Sequence, residues 1–232
     1  MLRALKKVFP AGCLLACLCA QAPAGPALSE LISGSPQAAR SVPPAPIPFP
    51  VRASYEYLDP GHLVPAQALA AALNYYRANL ASLGNPRYLS VIDYTRHANE
   101  KRFFVVDMNT GAVESFLAAH GRGSDPDHTG YAASFSNVPG SQATSLGIFL
   151  TGDTYNGDNG YSLRLYGMSP ANSNAFTRAI VIHGAPYVNP ANVPLGRSQG
   201  CPAVEMGVRT RLINMLKGGS VIYSWHERFP GN

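Results

Sequence analysis

From Tyr88 onward the chain alternates short apolar runs with turn residues. Runs at Tyr88–Thr95, Arg102–Met108, Ala112–Ala119, Leu146–Thr151, Tyr161–Tyr166, Ala179–His183 and Ser220–Trp225 have the length and the β-branched and aromatic content of strands. Asn109-Thr110-Gly111 supplies a hairpin turn between the second and third. Many short strands at this spacing predict a sandwich or barrel rather than a doubly wound sheet. No repeat of solenoid period is present.

Two segments carry the period of a helix instead. Leu69, Leu73, Tyr76, Leu80 and Leu83 recur at spacings of four and three, which predicts a helix over Pro65–Leu83 with Pro65 in its first turn and Gly84-Asn85-Pro86 as its stop. Val204, Val208, Leu212 and Met215/Leu216 form a second stripe from about Ala203 to Lys217, closed by Gly218-Gly219. Pro202 then falls at the first helical position and Cys201 at the N-cap. The fold class is therefore mainly β (α+β), a sandwich or barrel with an N-terminal helix and a helix following Cys201.

The first residues read differently. Met1 to Lys7 are positive and Val8 to Ala20 apolar, but this stretch is too short to cross a bilayer, and Pro10 and Gly12 would interrupt a buried helix. It reads as an export leader with two alternative processing points. Leu14-Leu15-Ala16-Cys17 resembles a lipobox and would make Cys17 an acylated terminus; Ala22-Pro23-Ala24 suits an ordinary signal peptidase and would leave Gly25 first. The resulting organisation is a signal peptide over 1–24 (or a lipoprotein signal ending before Cys17), a Pro/Ala-rich linker over 25–55, a helical segment packed on the domain over 56–86, and the main domain over 87–232. The linker has the extended, polyproline-like composition of a spacer. Export places the protein in the periplasm or cell envelope, and membrane attachment would come only through a lipid anchor at Cys17 on the lipobox reading.

Composition refines this in two ways. The formal charge of +5 comes from 18 basic and 13 acidic residues, but Arg3, Lys6 and Lys7 belong to the leader, so 15 basic residues would face 13 acidic ones after processing. With no basic run, nucleic acid is excluded as a partner. Of the four cysteines, Cys13, Cys17 and Cys19 lie in the leader, and only Cys201 lies in the folded part. A single thiol in an exported domain points to intermolecular bonding or to chemistry rather than to a disulfide framework.

Cys201 is read as a nucleophile. A thiol reacts as its thiolate, which a helix N-terminus and a neighbouring imidazole both favour. Gly200 lets the backbone turn tightly and leaves N–H groups near the sulfur for a developing oxyanion. The flanking Arg197-Ser198-Gln199-Gly200 is polar and loop-like, unlike the surroundings of a structural cysteine. His183 ends the apolar run Ala179-Ile180-Val181-Ile182, where it meets a Gly/Pro/Asn-rich loop that returns to Cys201 18 positions later. It is the candidate general base. His120 and His128 flank a polar loop, Gly121 to Asp127, expected near the same cleft. No C-x-x-C or H-x-x-x-H spacing occurs, so no metal site is expected, and there is neither a Gly-x-Ser-x-Gly elbow nor a Walker loop.

Taken together, Ala119-His120-Gly121-Arg122-Gly123-Ser124, Phe135-Ser136-Asn137, Ser145-Leu146-Gly147, Tyr161-Ser162-Leu163-Arg164-Leu165, Ile180-Val181-Ile182-His183-Gly184-Ala185 and Gly196-Arg197-Ser198-Gln199-Gly200-Cys201-Pro202-Ala203-Val204 resemble the murein L,D-transpeptidase catalytic domains. The likeness is to the branch with a Ser-x-Gly-Cys-Pro-Ala motif and covers roughly Tyr88 to Trp225. Two departures stand out: Gln199 takes the place of a second histidine, and Ala203 that of an Asn or Arg. The resemblance implies a β-rich catalytic domain acting on peptidoglycan stem peptides without a cofactor. Cys201 would attack the L-centre carbonyl of a diamino acid, release terminal D-alanine and form a thioester, which an amine from a second stem or a wall-linked lipoprotein resolves. The backbone carbonyl of Gly184 would orient His183, and Ser198, Gln199, Arg197 and His120 would contact substrate. Water as acceptor would make an L,D-carboxypeptidase of the same site. A wall cysteine amidase or peptidase is a second reading, although those order Cys before His, and a degenerate wall-binding lipoprotein is a third.

Overall fold

A computed structural model describes residues 54–229. The leader, its two processing points and residues 25–53 of the spacer lie outside these residues. Seven strands follow the expected runs: β1 (Tyr88–Asp93), β2 (Phe103–Asp107), β3 (Val113–Phe116), β4 (Gly147–Gly157), β5 (Gly160–Gly167), β6 (Val181–His183) and β7 (Val221–Trp225). They form one sheet in the order β3-β2-β1-β7-β4-β5-β6. Only β1 and β7 pair in parallel; the other pairs are antiparallel. The barrel is thus open, with β3 and β6 at its edges. The β2–β3 turn is built as its residues predict. Asp107 Oδ1 accepts from the Asn109 and Thr110 amides, and Gly111, at φ 79°, turns where a Cβ would lie 2.1 Å from the Tyr57 carbonyl.

Strand alternation divides the core between two faces. Ile92, Phe103, Val105, Leu163, Leu165, Ile182 and Ile222 face one side, with Leu212, Ile213 and Leu216 of α2 (Arg209–Leu216) packed on them. Leu89, Val91, Phe104, Val106, Val221, Tyr223 and Trp225 face the other, beneath α1 (Ala66–Asn79). A short 3-10 turn, Leu80–Ser82, completes the span expected of the first helix. The buried line of α1 is Ala68, Ala72 and Tyr76, one position back from the leucines, with Leu69 and Leu73 only half-buried. The small side chains of Ala68 and Ala72 let the helix lie close to β1 and β7.

The second helix follows Cys201, but later than its stripe predicts. It begins at Arg209, and Val204 is extended rather than helical. The backbone at 203–204 is committed elsewhere: Val204 N–H donates to the His183 carbonyl at 2.9 Å, Ala185 N–H to Val204 at 2.9 Å, and Ala119 N–H to Ala203 at 2.8 Å. Long-range pairing has overridden a helix-compatible pattern. Cys201 is therefore not an N-cap, and no helix dipole reaches its sulfur.

Candidate active site

The chain after β6 returns along that strand's outer edge and carries Cys201. Two parallel bridges stitch it in place, Gly184 to Val204 and Gly121 to Ser198. Ser198 ties the turn itself. Its Oγ accepts from the Gly200 amide at 3.0 Å and donates to the Cys201 carbonyl at 2.7 Å. The Gly200 N–H is thereby spent within the loop, not left free beside the sulfur. Gly200 sits at φ 121°, with the Ala143 carbonyl 2.9 Å and Ile180 Cδ1 3.0 Å from where a Cβ would stand. Glycine is required there by conformation and by space alike.

Cys201 is half-buried, and its Sγ lies 3.6 Å from the Ala179 carbonyl, to which the thiol donates. Ala179 adopts φ 54°, an unusual conformation for alanine, and this kink precedes β6. Burial pushes the Cys201 thiol up, while the Val181 backbone N–H and the Arg178 guanidinium pull it down. His183 is buried, and burial lowers its basicity against a raising hydrogen bond with Gly184. That bond joins Nδ1 to the Gly184 carbonyl at 3.1 Å. A carbonyl only accepts, so Nδ1 carries the proton and Nε2 remains an acceptor. Gly184 has no side chain to interfere: Arg209 Cδ and Met206 Sδ stand 2.8 Å and 3.0 Å from the place of its Cβ.

His183 and Cys201 open onto one cleft of about 290 Å³, shared with Ser198, Gln199, Arg197, Arg122, Asn159 and Tyr187. Arg197 donates to the carbonyls of Asp125 and Pro126, and Gln199 is exposed on the wall. Arg122 and Arg197 are its charged side chains, so the cleft is cationic. Tyr187, pushed up to about 12 by burial and then by the charge of Cys201, stays a phenol. Arg122, Asn159, Tyr187 and Arg178 were not singled out by the sequence. Tyr187 follows His183-Gly184 closely and Arg122 lies within the Ala119–Ser124 motif, whereas Asn159 and Arg178 carry no local signal. Among the described residues, no group of three or more His, Cys, Asp or Glu converges to hold a metal.

His120 does not join the cleft, contrary to expectation. It is 1% exposed, Arg102 Nη2 donates to its Nδ1 at 2.8 Å, and its Nε2 donates to Asp125 Oδ2 at 3.2 Å. Both ring nitrogens are engaged, so it braces the loop beneath the site. Burial, then the Arg102 charge, lowers its pKa to about 3. The unfolded chain, with an ordinary imidazole, binds a proton that the folded one refuses between that value and about 6.5. Stability therefore falls as pH drops through this window. Thermal melts from pH 7 to pH 4 should show Tm declining more steeply in the wild type than in His120→Gln.

Comparison with known proteins adds a family. Residues 62–225 match the family model described as the L,D-transpeptidase catalytic domain. Among solved structures, an L,D-transpeptidase from Mycobacterium smegmatis is similar at 16% identity over 60% of this chain and 58% of that one, with a TM-score of 0.39. One from Mycobacterium tuberculosis H37Rv is similar at 15% identity over 60% and 57%, with a TM-score of 0.40. The helical cell shape determining protein Pgp2 from Campylobacter jejuni is similar at 12% identity over 66% and 55%, with a TM-score of 0.41. This chain thus spans less than two thirds of each of these solved proteins. No curated protein sequence matches it.

Proposed function

Because the chain belongs to the L,D-transpeptidase catalytic domain family, we propose that it transfers acyl groups between peptidoglycan stem peptides, with Cys201 as nucleophile and His183 as general base. One observation carries this reading: the thiol and the imidazole open onto the same cleft, and the imidazole is held by Gly184 in the tautomer that accepts a proton.

Burial favours the neutral forms of both groups, so the resting pair is thiol and imidazole. As the sulfur attacks the L-centre carbonyl of the donor, its proton passes to His183 Nε2. The tetrahedral intermediate collapses, the bond to the terminal D-alanine breaks, and the imidazolium returns its proton to the departing amine. A thioester remains. An acceptor amine then attacks the thioester carbonyl, gives its proton to Nε2, and releases the thiolate, which recovers that proton. The two acyl transfers conserve the bond energy, so no cofactor is required. The cationic wall of Arg122 and Arg197 suits a donor that ends in carboxylates. In the working protein the leader would direct export: cut before Cys17 it would leave a lipid anchor with the Pro/Ala-rich spacer holding the domain off the membrane, and cut after Ala24 it would leave the spacer over 25–55 to let the domain reach into the wall.

The test is product mass after incubating a tetrapeptide-stem muropeptide with an amine acceptor. A cross-linked product that has lost D-alanine is expected. D-alanine loss without the cross-link would assign carboxypeptidase activity, and a stem cut at another bond would overturn the reading.

A further inference from the structure

Arg178 has no part in the reaction as written above, yet it lies directly behind the nucleophile. Its Nη2 is 3.3 Å from the place a Cβ would occupy on Gly200, the residue before Cys201. Its position is set by Ala179, whose left-handed backbone turns its carbonyl toward Sγ and leaves Arg178 on the near side of the kink. Four guanidinium N–H contacts fix the group. Nη1 donates to the Ser136 carbonyl at 2.7 Å and to Ser145 Oγ at 2.5 Å; Nη2 donates to the Ala143 carbonyl at 2.7 Å and to Ser141 Oγ at 3.2 Å.

Every one of those acceptors is neutral. No carboxylate pairs with Arg178 among the described residues. A half-buried cation held by uncharged oxygens has been denied the usual partner for its charge. With both terminal nitrogens engaged by protein oxygens, its fork is also poorly placed to grip substrate. What it delivers to the site is field.

We propose that Arg178 is a positioning residue whose fixed charge serves as the counter-ion of the Cys201 thiolate, anchored for that purpose by the Ser136–Ser145 segment. This deepens the reading of Cys201 as nucleophile and rests on it. The other groups facing the sulfur do not duplicate the role. His183 and Tyr187 share the cleft but favour their neutral forms, and Tyr94, at the end of β1, is a buried phenol pushed up to about 12. Arg122 and Arg197 line the cleft, the first paired with Gln142 and the second tied to the Asp125 loop. Arg178 is the cation whose charge draws the Cys201 thiol down, and the thiolate in turn favours the charged guanidinium. Because burial and the Ala179 carbonyl both favour the thiol, a local positive charge brings the thiolate within reach when attack begins.

The experiment is the pH dependence of Cys201 alkylation by iodoacetamide, read on the Cys201 peptide by mass spectrometry in the full chain. Arg178→Gln should raise the midpoint of the rate profile by roughly one to two pH units, and Arg178→Lys should restore most of that shift. Superimposable wild-type and Arg178→Gln profiles would overturn the proposal. Should Arg178→Gln fail to fold, Ser141→Ala combined with Ser145→Ala frees two guanidinium contacts; a raised midpoint then supports the counter-ion and an unchanged one refutes it. The free thiol is titrated without substrate. A flat Arg178 result therefore leaves acyl transfer by Cys201 standing, whereas wild-type protein with the expected titration but no transfer products would count against the transpeptidase reading alone.

Discussion

Cys201→Ala should remove acyl transfer, lowering the rate by at least about 10⁴-fold, while leaving the fold in place. The first half follows from covalent chemistry: Cys201 carries the thiol of the cleft, and the Ser198 hydroxyl is buried and bonded to both the Gly200 amide and the Cys201 carbonyl. The second half follows from how the loop is held. Its restraints are backbone pairings at Ser198 and Val204 together with the Ser198 staple, none of which uses the sulfur. The thiol's hydrogen bond to the Ala179 carbonyl, at 3.6 Å, is a weak one. Tm should therefore change little. A strained β-lactam such as a carbapenem gives a direct readout, because its opened ring would remain on the sulfur. Wild-type protein should gain the mass of one adduct and Cys201→Ala none. Equal acylation of both would remove the nucleophile from the mechanism and leave a wall-binding role with a degenerate site.

His183→Gln should cost about 10²- to 10⁴-fold in kcat/KM, the usual contribution of a positioned base. Its pH behaviour discriminates further. A general base works only when unprotonated, and burial holds this imidazole below its ordinary value. The wild-type acid limb should therefore lie below pH 6.5. In His183→Gln that limb should vanish, and the residual rate should climb with alkaline pH as the thiol ionises unaided. Because His183 is only 4% exposed, Tm is measured alongside, so that a loss of folding is separated from a loss of proton transfer. A variant that keeps the wild-type rate and acid limb would sink the assignment.

The strands were legible because each is a local pattern closed by turn chemistry. The Asp107 to Gly111 hairpin shows this best, since one carboxylate and one left-handed glycine build it. The nucleophile and base were legible for a similar reason: a lone thiol beside glycine and a histidine ending an apolar run are conspicuous in one dimension. What escaped depends on distant pairing. Val204 fits a helical stripe, and only the backbone of His183 and Ala185 draws it into extended form. His120 looked like a cleft residue in its polar loop, but Arg102 and Asp125 close over it. Ala203, one of the two departures from the resembled motif, is wholly buried with its carbonyl engaged by Ala119. Arg178 sits 23 residues before Cys201, and nothing in its neighbourhood announces that a kink at Ala179 brings the two together.

The route of the Cys201 loop along β6 also constrains how a peptide enters. An extended ligand often docks by adding itself as a further strand to an unpaired sheet margin. Here that margin is already taken, by Val204 against His183 and Ala185 and by the cysteine beside Val181. A stem-peptide donor of the kind proposed above would instead reach the sulfur through the cleft that His183 and Cys201 share, held by side chains rather than by added strand pairing. Selectivity for such a guest falls to its charges and its stereochemistry, not to a ladder of amides.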